Sequence, residues 1–370
     1  MIRFNKPFFT GNETVYINQA IKNGRLAGNG YFTKKCQDYF KDKLQNQLNL
    51  CTTSCTDALE MSALLCNIGQ GDEVIMPTFT FVSTANAFIL RGAKIRFVDS
   101  RKDHPGMDEE LVEQLINEKT KALIVVHYAG IACDMQKIME LANKYNLLVI
   151  EDAAQAIDSF FNEKPLGSIG DLGCFSFHET KNIQCGEGGL LSVNNKEFRK
   201  RAEIIWEKGT NRSAFWRGEV DKYNWEDIGS SFLPSDLNSS FLFAQLEQSK
   251  EIQQKRKSIW NKYNNGLNML AEKLSLPFIP NYASNNSHMY YLICNSLNER
   301  DLLISHLKKN NILAVFHYIC LHDSPFFNNK HDGRLMPNAK RYEECLVRLP
   351  LWVEMKETEV DYVIQKVLDF

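Results

Sequence analysis

The chain has 370 residues, with 43 basic against 45 acidic side chains and no basic block, a balance that argues against nucleic acid as a partner. No apolar run reaches the roughly 18 residues of a membrane span, and the start, Met1-Ile-Arg-Phe-Asn-Lys-Pro, lacks the apolar stretch of a secretory signal. Ten scattered cysteines form no CxxC pair and no His/Cys cluster completes the Cys51/Cys55 spacing, so no metal site is expected and the thiols read as free in a reducing cytoplasm.

The length suits two or three domains. From about residue 50 to 195, short β-branched runs alternate with helical periodicity. Leu50-Cys51-Thr52 reads as a short strand, followed by small hydroxyl residues and a helix from Thr56 to Asn67. Then come a strand at 73–77, a helix at 80–91, a strand at 94–98, a helix at 108–117, a strand at 122–126, a helix at 134–145 and a strand at 147–152. Gly69 and Gly92 close two of the helices, while Asp108 and Asp134 open two others. Apolar strands separated by helices predict a parallel sheet covered on both faces, with ligands at the carboxyl ends of the strands.

Residues 210–235 lose all period but hold five aromatics between Phe215 and Phe232, the mark of a functional loop rather than of disorder. One long helix is expected from Ser235 to about Leu270. Beyond it, strands at 289–294 and 314–318 and helices at 301–309 and 361–367 make a smaller α+β lobe. The expected division is residues 1–235 as a large α/β domain and 236–370 as the connecting helix plus the lobe.

Two residues at strand ends carry the chemistry. Asp152 closes the apolar run Leu147-Leu-Val-Ile-Glu151, and Lys181 follows Cys174-Phe-Ser-Phe-His-Glu-Thr180. A buried carboxylate and an amine delivered this way suit pyridoxal phosphate (PLP), which needs a Schiff-base lysine and an acid that keeps its pyridine nitrogen protonated. On a strand, Ser176 and His178 share one face and Phe175 and Phe177 the other. The glycine-dense stretch Gly186-Glu-Gly-Gly189 lets backbone approach a ligand, and Ala153-Ala154-Gln155 leaves space beside an amide. At 54–56, the helix start with Ser54 and Thr56 can hold a phosphate against the helix dipole or simply cap the helix. Phe79 and Phe81 each offer a ring for stacking, or core. Other signatures fail: the fifth residue of the HExxH-like stretch that begins His178-Glu179 is Asn182 rather than histidine, and there is no dinucleotide fingerprint, Walker A loop or GxSxG elbow.

The segments Ser54-Cys-Thr-Asp-Ala-Leu, Pro77-Thr-Phe-Thr-Phe-Val-Ser-Thr, Val126-His-Tyr-Ala-Gly, Glu151-Asp-Ala-Ala-Gln, Phe175-Ser-Phe-His-Glu-Thr-Lys-Asn and Gly186-Glu-Gly-Gly, taken in this order, resemble the DegT/DnrJ/EryC1/StrS sugar aminotransferases. The resemblance implies a fold-type I PLP-dependent transferase, a mostly parallel sheet with a small C-terminal lobe, and a homodimer with shared sites. It implies Lys181 as the Schiff-base lysine and proton shuttle, Asp152 at the pyridine nitrogen, Gln155 at the cofactor's 3′-oxygen, Phe81 against the ring, and Cys55, Thr56 and Ser176 around the phosphate. Many members carry a Gly-x-Asn-x-Arg stretch reaching the partner's cofactor. Here the segment reads Gly229-Ser-Ser-Phe-Leu233, so Ser231 stands in for the asparagine.

Within the family, the His178-Glu179-Thr180 form and the Lys208-Gly-Thr-Asn-Arg-Ser stretch are most like members that use glutamate to aminate C4 of TDP-4-keto-6-deoxy-D-glucose. The expected product is the galacto amino sugar, destined for a surface polysaccharide such as O-antigen or enterobacterial common antigen, with the gluco epimer or C3 amination as alternatives. Arg212, Arg217, Lys222 and Tyr223 are candidates for the pyrophosphate and base. His178 is a candidate for the substrate, and His317, Tyr318 and His322 are candidates for closing over the sugar, each of these three also readable as an ordinary residue of the lobe. A dehydratase would carry histidine at 181. A non-catalytic sugar-nucleotide binder would have no need of Lys181 and Asp152 together.

Overall fold

The computed structural model describes residues 1–370. Two helices, α1 (Glu13–Lys22) and α2 (Tyr31–Leu44), precede the sheet. The chain then runs β1 (Leu48–Thr52), α3 (Cys55–Leu65), β2 (Glu73–Pro77), α4 (Val82–Ile89), β3 (Lys94–Val98), β4 (Thr120–Val126), α5 (Met135–Tyr145) and β5 (Leu148–Asp152). A two-residue hairpin, β6 (Phe160–Phe161) and β7 (Lys164–Pro165), leads to β8 (Leu172–Ser176) and β9 (Gly189–Val193). Helices α6 (Arg199–Trp206), α7 (Arg212–Trp216), α8 (Asp236–Glu247) and α9 (Ser249–Leu267) follow. The last part holds β10 (Tyr290–Ile293), α10 (Leu297–Lys309), α11 (Pro337–Cys345), β11 (Leu346–Leu349) and α12 (Glu357–Leu368). No helix is long and apolar enough to cross a membrane.

Seven strands form one sheet in the order β1-β9-β8-β5-β4-β2-β3, and only β9 runs against its neighbours. Strands β2, β4 and β5 are apolar and buried along nearly their whole length, as a sheet covered on both faces requires. The sheet order reverses around β8 and β9, so the carboxyl ends of β4, β5 and β8 and the start of β9 meet at one edge. β10 and β11 pair in a separate antiparallel ribbon.

Three expected elements come out differently. Residues 108–117 form two 3₁₀ turns, Glu109–Leu111 and Glu113–Leu115, rather than an α-helix. Val112 and Leu115 both face the core three residues apart, a spacing that a 3₁₀ turn aligns. The Glu109 carboxylate is also drawn inward to Arg101 (3.1 Å) and the Asp134 N–H (2.6 Å). The long helix from 235 breaks at Gln248, whose backbone leaves helical geometry, because α8 packs on α1 and α2 whereas α9 packs on α12. Residues 314–318 form no strand: Val315 exchanges one pair of backbone bonds with Arg348 before the chain turns away toward the sheet edge.

Candidate active site

A cavity of about 510 Å³ opens at this sheet edge, and most of the expected residues line it: Ser54, Cys55, Thr56, Phe81, Asp152, Gln155, Ser176, His178, Lys181, His317 and Tyr318. Asp152 arrives at the carboxyl end of β5 and is almost wholly buried. Its Oδ2 accepts from Thr84 Oγ1 (2.7 Å) and its Oδ1 from the Ala154 N–H (3.1 Å). Thr84 in turn shares a hydroxyl bond with Thr80 (2.9 Å). Burial pushes the Asp152 carboxyl above its ordinary value, and its hydrogen bonds and Lys181 oppose that shift. Burial likewise pushes the Lys181 amine down.

Glu151, the preceding residue, points to the opposite face of β5 and serves the fold instead. Its buried carboxylate accepts from the Gly167, Ile169 and Gly170 N–H groups, each at 2.7 Å, and lies 3.0 Å from His127 Nε2.

The helix start at 54–56 meets both readings of the sequence. Ser54 caps α3, its Oγ accepting from the Asp57 N–H (3.1 Å), and Thr56 Oγ1 bonds Ser83 (2.9 Å). The N–H groups of Cys55 and Thr56 open the helix, where no preceding turn supplies acceptors, and both residues face the cavity. Gly189 at the start of β9 backs directly onto this turn: a Cβ there would stand 2.4 Å from the Ser54 carbonyl carbon and 2.5 Å from Cys55 N. The turn therefore offers free amides, a helix dipole and a close backbone seat, which is what a phosphate dianion requires.

The two phenylalanines separate cleanly. Phe79 is buried against Tyr128 and Tyr342, whereas Phe81 is 54 % exposed over the cavity, 5.9 Å from the Tyr318 ring. Gln155 Oε1 accepts from the Ala129 N–H (2.6 Å) and Nε2 donates to Tyr318 Oη (3.1 Å), leaving one amide hydrogen for a ligand. As the alternation predicts, Phe175 and Phe177 are buried while Ser176 and His178 line the cavity.

Other candidates fall outside this cavity. Arg212, Arg217, Lys222, Tyr223 and Ser231 are exposed, with Arg217 held by Glu203 and Glu219. His322 bonds Thr78 Oγ1 (2.8 Å), as a satisfied lobe histidine does. Sequence reading missed Phe4, Thr84, His127, His288 and Arg348, all of which line the cavity. Of these, Arg348 carried a readable signal: a lone charge inside the apolar run Leu346-Val-Arg-Leu-Pro-Leu-Trp352.

A lysine, a buried acid, a phosphate cradle and a bare ring around one cavity fit PLP. Comparison with known proteins agrees. The family model described as the DegT/DnrJ/EryC1/StrS aminotransferase family matches residues 9–368. An uncharacterized protein of Methanocaldococcus jannaschii is 34 % identical, covering 90 % of this chain and 89 % of its own length. The GDP-perosamine synthase of Escherichia coli O157:H7 is 29 % identical, covering 99 % and 97 %. A solved structure of a Streptococcus pneumoniae protein, described as a sugar aminotransferase in its PLP form, superimposes with a TM-score of 0.90 at 27 % identity, covering 99 % and 97 % of the two chains. The chain therefore belongs to the DegT/DnrJ/EryC1/StrS aminotransferase family, and it is a fold-type I, PLP-dependent sugar aminotransferase.

Proposed function

We propose that the enzyme moves the amino group of glutamate to C4 of TDP-4-keto-6-deoxy-D-glucose, giving the galacto amino sugar for a surface polysaccharide. The observation that carries the site reading is the meeting of Lys181 and Asp152 in one cavity with the open amides of Cys55 and Thr56. Bound PLP supplies an electron sink that lets the carbon bearing the transferred amine lose its proton. Lys181 would take up and return that proton, a task suited to an amine that burial keeps from being a firmly held cation. Asp152, buried and fixed by Thr84 and the Ala154 N–H, holds the pyridine nitrogen in its protonated form. The start of α3 with Ser176 would hold the phosphate, Phe81 would lie against the ring, and Gln155 would offer its spare amide hydrogen to the 3′-oxygen. His178, His317 and Tyr318 face the sugar.

The choice of TDP and C4 rests on the likeness of the His178-Glu179-Thr180 and Lys208-to-Ser213 stretches. A GDP-linked keto-sugar is the second reading, favoured by the relative named GDP-perosamine synthase. Incubating the protein with PLP, glutamate and each keto-sugar in turn, with NMR of the product, tests both. Turnover of the TDP-linked 4-keto-sugar at a useful rate is expected; turnover of only the GDP-, UDP- or 3-keto compound overturns the substrate assignment.

We also propose a homodimer with shared sites. In support, Trp216, Tyr223, Trp225 and Phe81 are exposed at 67, 57, 83 and 54 %, an apolar cost that a partner surface would remove. Ser231 would then face the partner's cofactor phosphate. If so, mixing a Lys181→Ala subunit with a Ser231→Leu subunit gives heterodimers with one intact site each, and activity should recover to about a quarter of wild type by random pairing. A monomer at working concentration, or no recovery on mixing, would contradict it.

A further inference from the structure

Four residues of one short segment, Thr80, Phe81, Ser83 and Thr84, line the cavity where β2 gives way to α4. Phe81 is the exposed ring, and Ser83 bonds Thr56 in the phosphate turn. The two threonines do neither: they are 2 and 1 % exposed and share a 2.9 Å bond. That bond has a direction. An ionised carboxylate only accepts, so Thr84 gives its one hydroxyl hydrogen to Asp152 Oδ2. Thr84 can then only accept from Thr80, whose hydrogen must point the same way. Both hydrogens lean toward the charge, and in a buried site each bond polarises the next. The Ala154 N–H takes the other oxygen, so the carboxylate is held at both ends.

The titratable groups around Asp152 come from separate elements: Lys181 beyond β8, His127 just beyond β4, Cys174 in β8, Cys55 at the start of α3 and Tyr318 of the lobe. Burial pushes the Lys181 amine toward its neutral form, and His127 has its own carboxylate partner in Glu151. Thr84 is the one side chain that hydrogen-bonds the Asp152 carboxylate.

We propose that Thr84 is a positioning residue for amino transfer, with Thr80 as its support: the two hydroxyls keep the Asp152 carboxylate charged and fixed in the cavity. This deepens, and rests on, the aminotransferase reading of the site.

The test compares Thr84→Val, Thr84→Ser and Thr80→Val. In the cofactor-free protein, melting curves from acid to neutral pH read the charge on Asp152. Removing the donor raises the folded carboxyl further above its unfolded value of about 3.9, so ionisation costs more. The stability deficit of Thr84→Val against wild type should therefore widen as pH climbs from the wild-type folded value to the variant's higher one, and be complete above both. In an Asp152→Asn background the same substitution should cost the same at every pH. Thr80→Val should widen less, and Thr84→Ser hardly at all. Ser83→Ala, which disturbs the same turn without touching Asp152, should show no widening. In the PLP-loaded enzyme, glutamate should bleach the yellow lysine-linked cofactor about tenfold more slowly in Thr84→Val, as loss of a hydrogen bond to a charged group implies. Thr84→Ser should restore most of that rate. A deficit that does not change with pH, a pH slope that survives in the Asp152→Asn background, or a Thr84→Ser no better than Thr84→Val overturns the proposal. Should Thr84→Val not fold, Thr80→Val in the two backgrounds decides. A wild-type enzyme that no α-amino acid bleaches overturns the aminotransferase reading instead and leaves the melting result untouched.

Discussion

Lys181→Ala should fold as the wild type does and lose amino transfer by about three orders of magnitude or more, the scale of a lost proton-transfer group and its covalent anchor combined. The side chain makes no ion pair and no hydrogen bond through its amine, and its burial disfavours the charge it carries. Its removal therefore leaves no partner stranded, and thermal unfolding of the cofactor-free protein should not move downward. The yellow colour of the lysine-linked cofactor should disappear on reconstitution with PLP. A variant that keeps both that colour and its turnover would mean another amine does the work.

The second large effect is expected for Asp152→Asn. The shape is retained, and Thr84 can reverse its hydroxyl to meet the new amide, because Thr80 stands ready as its other partner. What is lost is the negative charge that keeps a pyridine nitrogen protonated, so PLP should still bind while turnover falls by about two orders of magnitude or more. Near-normal turnover would show that another acid fills the role. The same substitution has a signed effect on the cofactor-free protein. Burial raises the folded carboxyl above the unfolded value of about 3.9, so ionisation costs nothing at lower pH. The cost grows as pH rises from the unfolded value toward the raised folded value and is complete above the latter. Melting curves taken from acid to neutral pH should therefore show Asp152→Asn gaining stability relative to wild type as pH increases.

The strands that deliver the chemistry were the easiest part to read, because β2, β3 and β5 are short apolar runs with turn residues on both sides, and they end within a residue of expectation. Asp152 ends β5, Ser176 ends β8, and His178 and Lys181 follow in the loop beyond β8, with the alternation still setting which of these residues face the cavity. The misread elements are those whose form depends on distant partners. Residues 108–117 are wound tighter by Glu109 reaching Arg101 and Asp134, and the 235–267 helix is broken because its two halves pack against different helices. Arg348 escaped for a related reason: a single arginine says nothing until Phe4, His317 and Lys181 are known to surround it. Ser231, Arg212, Lys222 and Tyr223 lie on the exposed surface of one chain, so their assignment turns on what covers that surface.

The cavity draws its walls from Phe4 through Arg348, so its two outermost contributors are separated by nearly the whole chain. During synthesis the phosphate turn and Lys181 leave the ribosome well before the Arg348 guanidinium that shares their cavity. A growing chain can therefore hold the sheet without holding the finished cavity. The residues assigned to the cofactor are all made by then, but the wall that Arg348 completes, and the stability a ligand seated in the whole cavity adds, arrive only after the lobe has been made. Chains cut short before the lobe would be left without that reinforcement and exposed to proteases, so a closed cavity marks a chain whose lobe has been made.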